Sequence, residues 1–229
     1  MHTCLSPCGD MQMRAGAIVK QARKVSLDMI GICDHNSAEN VEAVINAGVR
    51  EGLTVIPGME ITSQEEVHIF GLFQQQNDLM RLQELVYENL SGENNEQFFG
   101  PQIIIDEQDQ KIGKNNKLLI GATGLTVEQI VEAIHFRGGL AIASHIDRPR
   151  FGLIGQLGFI PEGLKLDAVE VANPSEFKPE HGYPVITCSD AHYLEDIGKN
   201  TTTFFMEEPS LHEMGKALRQ EGARKIVIN

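Results

Sequence analysis

Apolar residues recur at helical spacing in three stretches of this chain. Val41, Val44, Ile45 and Val49 form one stripe, with Ser37 ahead of it as a candidate cap. Val127, Ile130, Val131 and Ile134 form the second; there Thr126 and Gln129 have the spacing of a capping box, and Gly138-Gly139 supplies the stop. Leu211, Met214 and Leu218 form the third, with Ser210 and Glu213 in the same relation and Gly222 beyond. Between the helices lie short apolar runs bounded by breakers: 29–33, 53–56, 67–70, 140–143, 168–171 and 184–187. Their length and flanks predict buried parallel strands, and a further strand-like run closes the chain. Such alternation predicts an α/β fold, and six or more units predict a barrel or barrel-like sheet. The stretch from about 89 to 118, rich in Asn, Gln, Glu and Asp, breaks the rhythm. It is expected to be an insertion with a hairpin inside a single domain spanning 1–229.

The polar residues fall at informative places relative to these runs. Residues 29–33 lead straight into Asp34-His35, and 53–56 lead through Pro57-Gly58 to Glu60. Residues 140–143 end at Ser144-His145, and 184–187 end near Asp190-Ala191-His192. His68 lies inside 67–70, and His2 stands at the start of the chain. In α/β barrels the C-terminal strand ends converge on one mouth, so these sequence-distant groups are expected to become neighbours. Imidazole and carboxylate together suit Zn²⁺, Mn²⁺ or Fe²⁺, and carboxylates able to bridge favour more than one ion. A single histidine is more often structural than a ligand, but five histidines and two carboxylates nearly all at strand ends are not explained that way.

Composition narrows the partners. The net charge of -13 works against a broad nucleic-acid surface, which needs clustered Lys and Arg, so a long duplex is not expected as a partner. Trp is absent and aromatic residues make up only 6%, leaving no aromatic and basic interleaving suited to stacking single-stranded bases. Cys4, Cys8, Cys33 and Cys188 include no CxxC pair and form no disulfide framework; they are expected to be reduced. No apolar run approaches the roughly 20 residues that span a bilayer, and no signal-peptide layout opens the chain, so a cytoplasmic protein without a membrane partner is expected.

The order His2-Thr3, Asp34-His35, Glu60, His68, His145 and Asp190-x-His192 resembles the four motifs of the PHP (polymerase and histidinol phosphatase) superfamily over nearly the whole chain. That resemblance implies a distorted (β/α)7 TIM-like barrel with two or three divalent ions at its mouth and phosphoesterase activity. The family's first motif is His-x-His-Thr, whereas this sequence opens Met1-His2-Thr3. The first histidine and the strand before it are therefore missing, and a start placed a few residues late is the expectation. His2, on such a terminus, is expected to fray and to hold metal weakly. By resemblance, His2, Glu60 and Asp190 would hold one ion, and Glu60, His68 and His145 a second. A third would take His35 and His192 with either Cys8 or Asp10.

Two or three ions would neutralise a phosphate and lower the pKa of a water to about 7, which suits hydrolysis of a phosphomonoester or short nucleotide. Arg148, close to His145, is the candidate catalytic phosphate clamp because a guanidinium donates two parallel hydrogen bonds. A metal-held water, His192 or Asp34 would protonate the leaving group. Alternatives are a nuclease trimming nucleic-acid ends, and a non-catalytic metal-binding scaffold favoured by the missing histidine. His135 and His212 are expected to be packed or surface residues, Cys33 and Cys188 fillers, and His181 a loop contact to substrate.

Overall fold

In the computed structural model, residues 1–174 and 182–228 are described. The chain runs α1 (Ala15–Lys24), β1 (Met29–His35), α2 (Val41–Glu51), β2 (Thr54–Thr62), β3 (His68–Leu72), α3 (Gln76–Asn89), α4 (Glu96–Phe99), β4 (Ile103–Ile105) and β5 (Lys111–Lys114). It continues through α5 (Val127–Phe136), β6 (Leu140–Ala143), α6 (Leu153–Leu157), β7 (Ala168–Glu170), β8 (Val185–Ile186), a 3₁₀ turn (Leu194–Asp196), β9 (Thr202–Phe205), α7 (Leu211–Leu218) and β10 (Lys225–Ile228). Six strands form one curled sheet in the order β1-β2-β3-β6-β7-β8, a distorted barrel of the α/β class.

All six apolar runs become strands of this sheet, but not all are parallel. β3 lies antiparallel to both β2 and β6, while the pairs β1-β2, β6-β7 and β7-β8 are parallel. The reason is the connection. Only residues 63–67 separate β2 from β3, closed by Ser63 N–H to Val67 O at 2.8 Å, and a parallel partner needs a crossover of a dozen or more residues. The closing strand-like run is β10, which pairs with β9 as a separate two-stranded ribbon. Within 89–118, β4 and β5 form the expected hairpin. This hairpin is anchored beside the N-terminal loop, through Ile103 N–H to Cys4 O and through Asn40, whose amide bonds Ile103 O and Ile105 N–H.

Helices α2, α3 and α5 pack on the sheet, with α5 burying Val127, Ile130, Val131 and Ile134 as expected. Its capping box is present in both directions. At α7 only half of the second box forms: Ser210 accepts from Glu213 N–H, but the Glu213 carboxylate turns to Arg224 and Lys216. In α2 the stripe is rotated from its expected position. Val49 is 76% exposed, while Ala47 and Gly48 face inward. Gly48 explains the rotation, since a Cβ there would lie 2.6 Å from Val55 Cγ2, so the helix approaches β2 along its glycine. Ser37 does not cap α2; its hydroxyl meets Tyr87 Oη at 2.7 Å.

Candidate metal centre

The strand ends do converge. Asp34 and His35 close β1, Glu60 lies late in β2, His68 opens β3, and His145, Glu170 and Asp190 follow or end β6, β7 and β8. Because β3 is antiparallel, its first residue stands at the same edge as the last residues of its neighbours, so Thr62 pairs with His68. Three of the turns that carry these groups hold non-glycine residues in the left-handed region: Asn36 (φ 50°), His145 (φ 29°) and Asp190 (φ 44°). Such strain costs on the order of 1–2 kcal/mol per residue and persists where the surroundings enforce it. Asn36 is enforced by its own amide, which donates to Leu119 O and Gly121 O and accepts from Thr62 N–H.

Glu60, 1% exposed, sits at the centre. Its Oε2 lies 3.2 Å from His2 Nε2 and 3.4 Å from His35 Nδ1, and its Oε1 lies 3.0 Å from His68 Nδ1 and 3.5 Å from His145 Nε2. His68 Nδ1 and His145 Nε2 are 3.2 Å apart. His2 Nε2 also reaches Asp190 Oδ1 at 3.2 Å. Three overlapping groups have donor atoms within 4.8 Å of one another: His2, Glu60 and Asp190; His35, Glu60 and His68; and His2, Cys8, His35 and His192. Six of the seven residues expected as ligands fall in these groups, and His145, outside them, adjoins the cluster through Glu60 and His68; His35, placed by resemblance in a third site, groups with Glu60 and His68 as well.

The carboxylates and imidazoles of this cluster shift one another's protonation. Burial alone would raise the Glu60 carboxyl, but the charges of His68 and His35 and hydrogen bonds from His145 and His2 hold it well below the usual range. Burial would lower His2, yet its bonds to Asp190 and Glu60 lift it to about 9. His35 and His192 are pushed down, by burial first, despite nearby carboxylates, and each also feels the positive charge of His2. These directions favour a charged His2 between Glu60 and Asp190 and neutral rings at His35 and His192. The Nδ1 atoms of His35 and His145 are buried without a hydrogen-bond partner among the described residues. Buried imidazole nitrogens are ordinarily satisfied, so the orphaned Nδ1 of His35, 3.4 Å from Glu60 Oε2, fits metal coordination.

A surrounding set holds these groups in place. The Asp34 carboxylate accepts from Thr3 N–H (2.6 Å), Thr3 Oγ1 (2.7 Å) and Ser6 Oγ (2.7 Å), which leaves it committed to binding the N-terminal loop and unsuited to protonating a leaving group. His2 does not fray: it is fully buried, its N–H donates to Ala191 O, and Met1 O accepts from Cys33 N–H. Ser144 donates to Glu60 Oε1 at 2.9 Å. Glu170 accepts from His145 N–H, and burial lifts its carboxyl to about 7 against the pull of that bond. Glu170 was missed in the sequence, although its position at the end of a buried run was the available signal. The Phe151 ring stacks on His68 at 4.5 Å and 14°, and nothing in the sequence pointed to it.

Arg148 lies at the rim, 44% exposed, with Nη1 donating to Asp190 Oδ2 at 2.8 Å. His135 is a packed residue away from the centre, bonded to Asp167 at 2.8 Å. Asp10 belongs to none of the three groups; its Oδ1 accepts from Gln12 N–H instead. His181 lies outside the described residues. No helix among the described residues is long and apolar enough to cross a membrane.

Residues 1–166 match the family model described as PHP domain, and residues 175–222 the one described as PHP-associated. The uncharacterized protein YqxK of Bacillus subtilis (strain 168) is 29% identical in an alignment of 121 residues, covering 47% of this chain and 30% of that protein. Among solved structures, the lesion-specific endonuclease Q of Pyrococcus furiosus superposes with a TM-score of 0.75 at 18% identity, covering 99% of this chain and 56% of that one. An endonuclease Q complex with a 27-mer duplex carrying an abasic lesion at the active site gives 0.74 at 17%, covering 98% and 56%. A protein from Bifidobacterium adolescentis, assigned as a metal-dependent phosphoesterase, gives 0.55 at 17%, covering 87% and 90%. The chain thus spans about a third of the curated relative and little more than half of the endonuclease Q chains. At these identities the structural likeness is one of fold.

Proposed function

The chain belongs to the PHP-domain family, and from that premise we propose that it is a metal-dependent hydrolase of phosphate esters, acting on a phosphomonoester or a short nucleotide. The observation that carries this reading is Glu60, whose two oxygens face two different sets of imidazoles. A carboxylate so placed can bridge two cations. His2 and His35 face Oε2, with Asp190 beside His2; His68 and His145 face Oε1. Zn²⁺, Mn²⁺ and Fe²⁺ all suit such donors. Bound there, divalent ions would supply charge neutralisation for the phosphate and an acidified water at neutral pH.

The residues around the ions have their own tasks. Arg148, held at Nη1 by Asp190 and part-exposed, has further donors that suit a phosphate oxygen. Ser144 and Glu170 fix Glu60 and the His145 backbone, and Asp34 fixes the loop that carries His2. His192, with Nδ1 bonded to Asp190 O, keeps Nε2 as a further donor for a cation. The site takes groups from both matched regions, since Asp190 and His192 meet His2 and Glu60. This supports reading 1–229 as one PHP unit with 89–118 as an insertion.

A second reading, phosphodiester cleavage in nucleic acid, draws on the fold shared with endonuclease Q, whose reported complex holds lesion-bearing duplex DNA. The net charge of -13 weighs against a duplex as the partner of this chain alone. The experiment is a rate comparison with Mn²⁺- or Zn²⁺-loaded protein on p-nitrophenyl phosphate, bis-p-nitrophenyl phosphate, nucleoside monophosphates and an abasic duplex. Faster turnover of the monoesters supports the first reading. Cleavage of the duplex alone replaces it with the second, and no turnover of any substrate leaves the scaffold reading.

A further inference from the structure

The turn that follows His145 brings an aromatic ring to the edge of the imidazole cluster. Phe151 is fixed there twice. Its carbonyl accepts from His68 N–H at 2.9 Å, and its ring lies against the His68 imidazole at 4.5 Å between centroids and 14° between planes. Its backbone is in the left-handed region at φ 61°, which a bulky residue adopts only where the surroundings enforce it. The next residue, Gly152, is hemmed in by Arg148 O and His145 O, so the turn has little room to shift.

Yet Phe151 is 36% exposed. A ring needed only to pack against His68 has no reason to stay open, and Phe70 and Phe73 on and beside β3 are buried. Part of a rigid apolar surface is therefore left at the opening of a site otherwise made of imidazoles and carboxylates. Two exposed arginines, Arg148 and Arg150, precede it in the same turn, a local Arg-Pro-Arg-Phe run in a chain whose net charge is -13. Such a rim complements a ligand that is anionic at one end and flat and aromatic at the other. A nucleotide has both features.

We propose that Phe151 is a stacking platform for the nucleobase of the substrate, selecting nucleotides over phosphorylated sugars at the Glu60 site. This rests on reading that site as a hydrolase of phosphate esters. The ring already forms one layer of a stack on His68, and a purine or pyrimidine adds the next. His68 in turn faces Glu60 Oε1 at 3.0 Å, which leaves the ribose to span from the platform to the cluster. Every base has a π-face, so the platform favours nucleotides as a class without reading the base. Because Phe151 is held in place before substrate arrives, no side chain has to be ordered on binding. One ring suits one base, and it asks nothing of a broad basic surface.

Fluorescence tests this without turnover. The chain has no Trp, so the emission of 2-aminopurine riboside 5′-monophosphate can be followed with little protein background, and stacking on an aromatic ring quenches it. Wild type and Phe151→Tyr should both quench the probe, whereas Phe151→Leu should bind it about tenfold more weakly, within the range of base stacking. In Mn²⁺-loaded protein the ratio of kcat/KM for adenosine monophosphate over ribose 5-phosphate should fall by a similar factor in Phe151→Leu, through the KM of the nucleotide. A loss shared equally by both substrates would show that the ring only supports His68; it overturns the platform and leaves the hydrolase reading standing. Absence of quenching in wild type overturns it too. Quenching that depends on Phe151 in a protein that hydrolyses neither ester keeps the platform and removes the hydrolase reading.

Discussion

Asp34 grips Thr3 with both carboxylate oxygens, one on the backbone N–H at 2.6 Å and the other on Oγ1 at 2.7 Å, and so fixes the residue beside His2. The pair joins the end of β1 to the N-terminal loop in a place without solvent, since both residues are 0% exposed. Asp34→Asn replaces one acceptor oxygen with an amide donor facing groups that themselves donate. Each buried partner left unmet costs about 1–3 kcal/mol. Urea unfolding should register that loss, and metal affinity should fall with it because His2 is no longer held. Unchanged stability together with lost turnover would instead return Asp34 to the chemistry.

Gly152 closes the loop that begins at His145. A Cβ there would lie 2.4 Å from Arg148 O and 2.7 Å from His145 O, both backbone atoms that cannot swing aside. Gly152→Ala should therefore displace His145 and Arg148, lowering kcat/KM on a phosphomonoester at least tenfold with a Tm change of only a few degrees. Normal kinetics in that variant would show that the loop has no part in the site.

Glu213 offers a pH signature remote from the metal centre. Hydrogen bonds from Arg224 first, then Lys216 and the Glu207 N–H, hold its carboxyl at about 2 against an ordinary 4.5. Those partners, more than depth within the core, cover the side chain. A carboxyl depressed on folding stabilises the protein above its unfolded pKa and loses that contribution as pH falls through the folded value. The Tm difference between wild type and Glu213→Gln should be full at pH 7 and shrink between pH 4.5 and 2. A difference independent of pH would contradict the ion pairing.

His135 and Glu60 make a paired control. His135 bonds Asp167, whose Oδ2 also accepts from Ala141 N–H, so its role is to pin α5 against β6. His135→Ala should keep turnover within about threefold, whereas Glu60→Gln should reduce it by 10³ or more, in the range expected when the central charge of a catalytic site is lost. Equal losses would mean that the mouth has been assigned to the wrong residues.

The strand ends made the site legible in the sequence, because a buried apolar run followed by a polar ligand type has a fixed geometric meaning in this fold class. Glu60 and His145 are found that way. The direction of β3 was not legible, since a buried strand has the same pattern whether its neighbours run parallel or antiparallel; only the short 63–67 link carried the information. Val49 shows the limit of periodicity, where a glycine able to approach a strand overrode the count of apolar residues. The surrounding set, Asp34 on Thr3 and Ser6 and Phe151 on His68, depends on contacts between distant segments that no local spacing encodes.

The central claim is that Glu60 is shared between metal ions, and the stoichiometry of bound metal tests it most directly. Elemental analysis of protein reloaded with Zn²⁺ or Mn²⁺ and dialysed should give more than one equivalent, with a rise in Tm because ions that bind only the folded state stabilise it. Glu60→Gln should lower the bound metal by more than one equivalent, since each ion loses a shared ligand. A wild-type protein holding no metal and showing no thermal shift, or a Glu60→Gln variant that retains its full complement, would contradict the account.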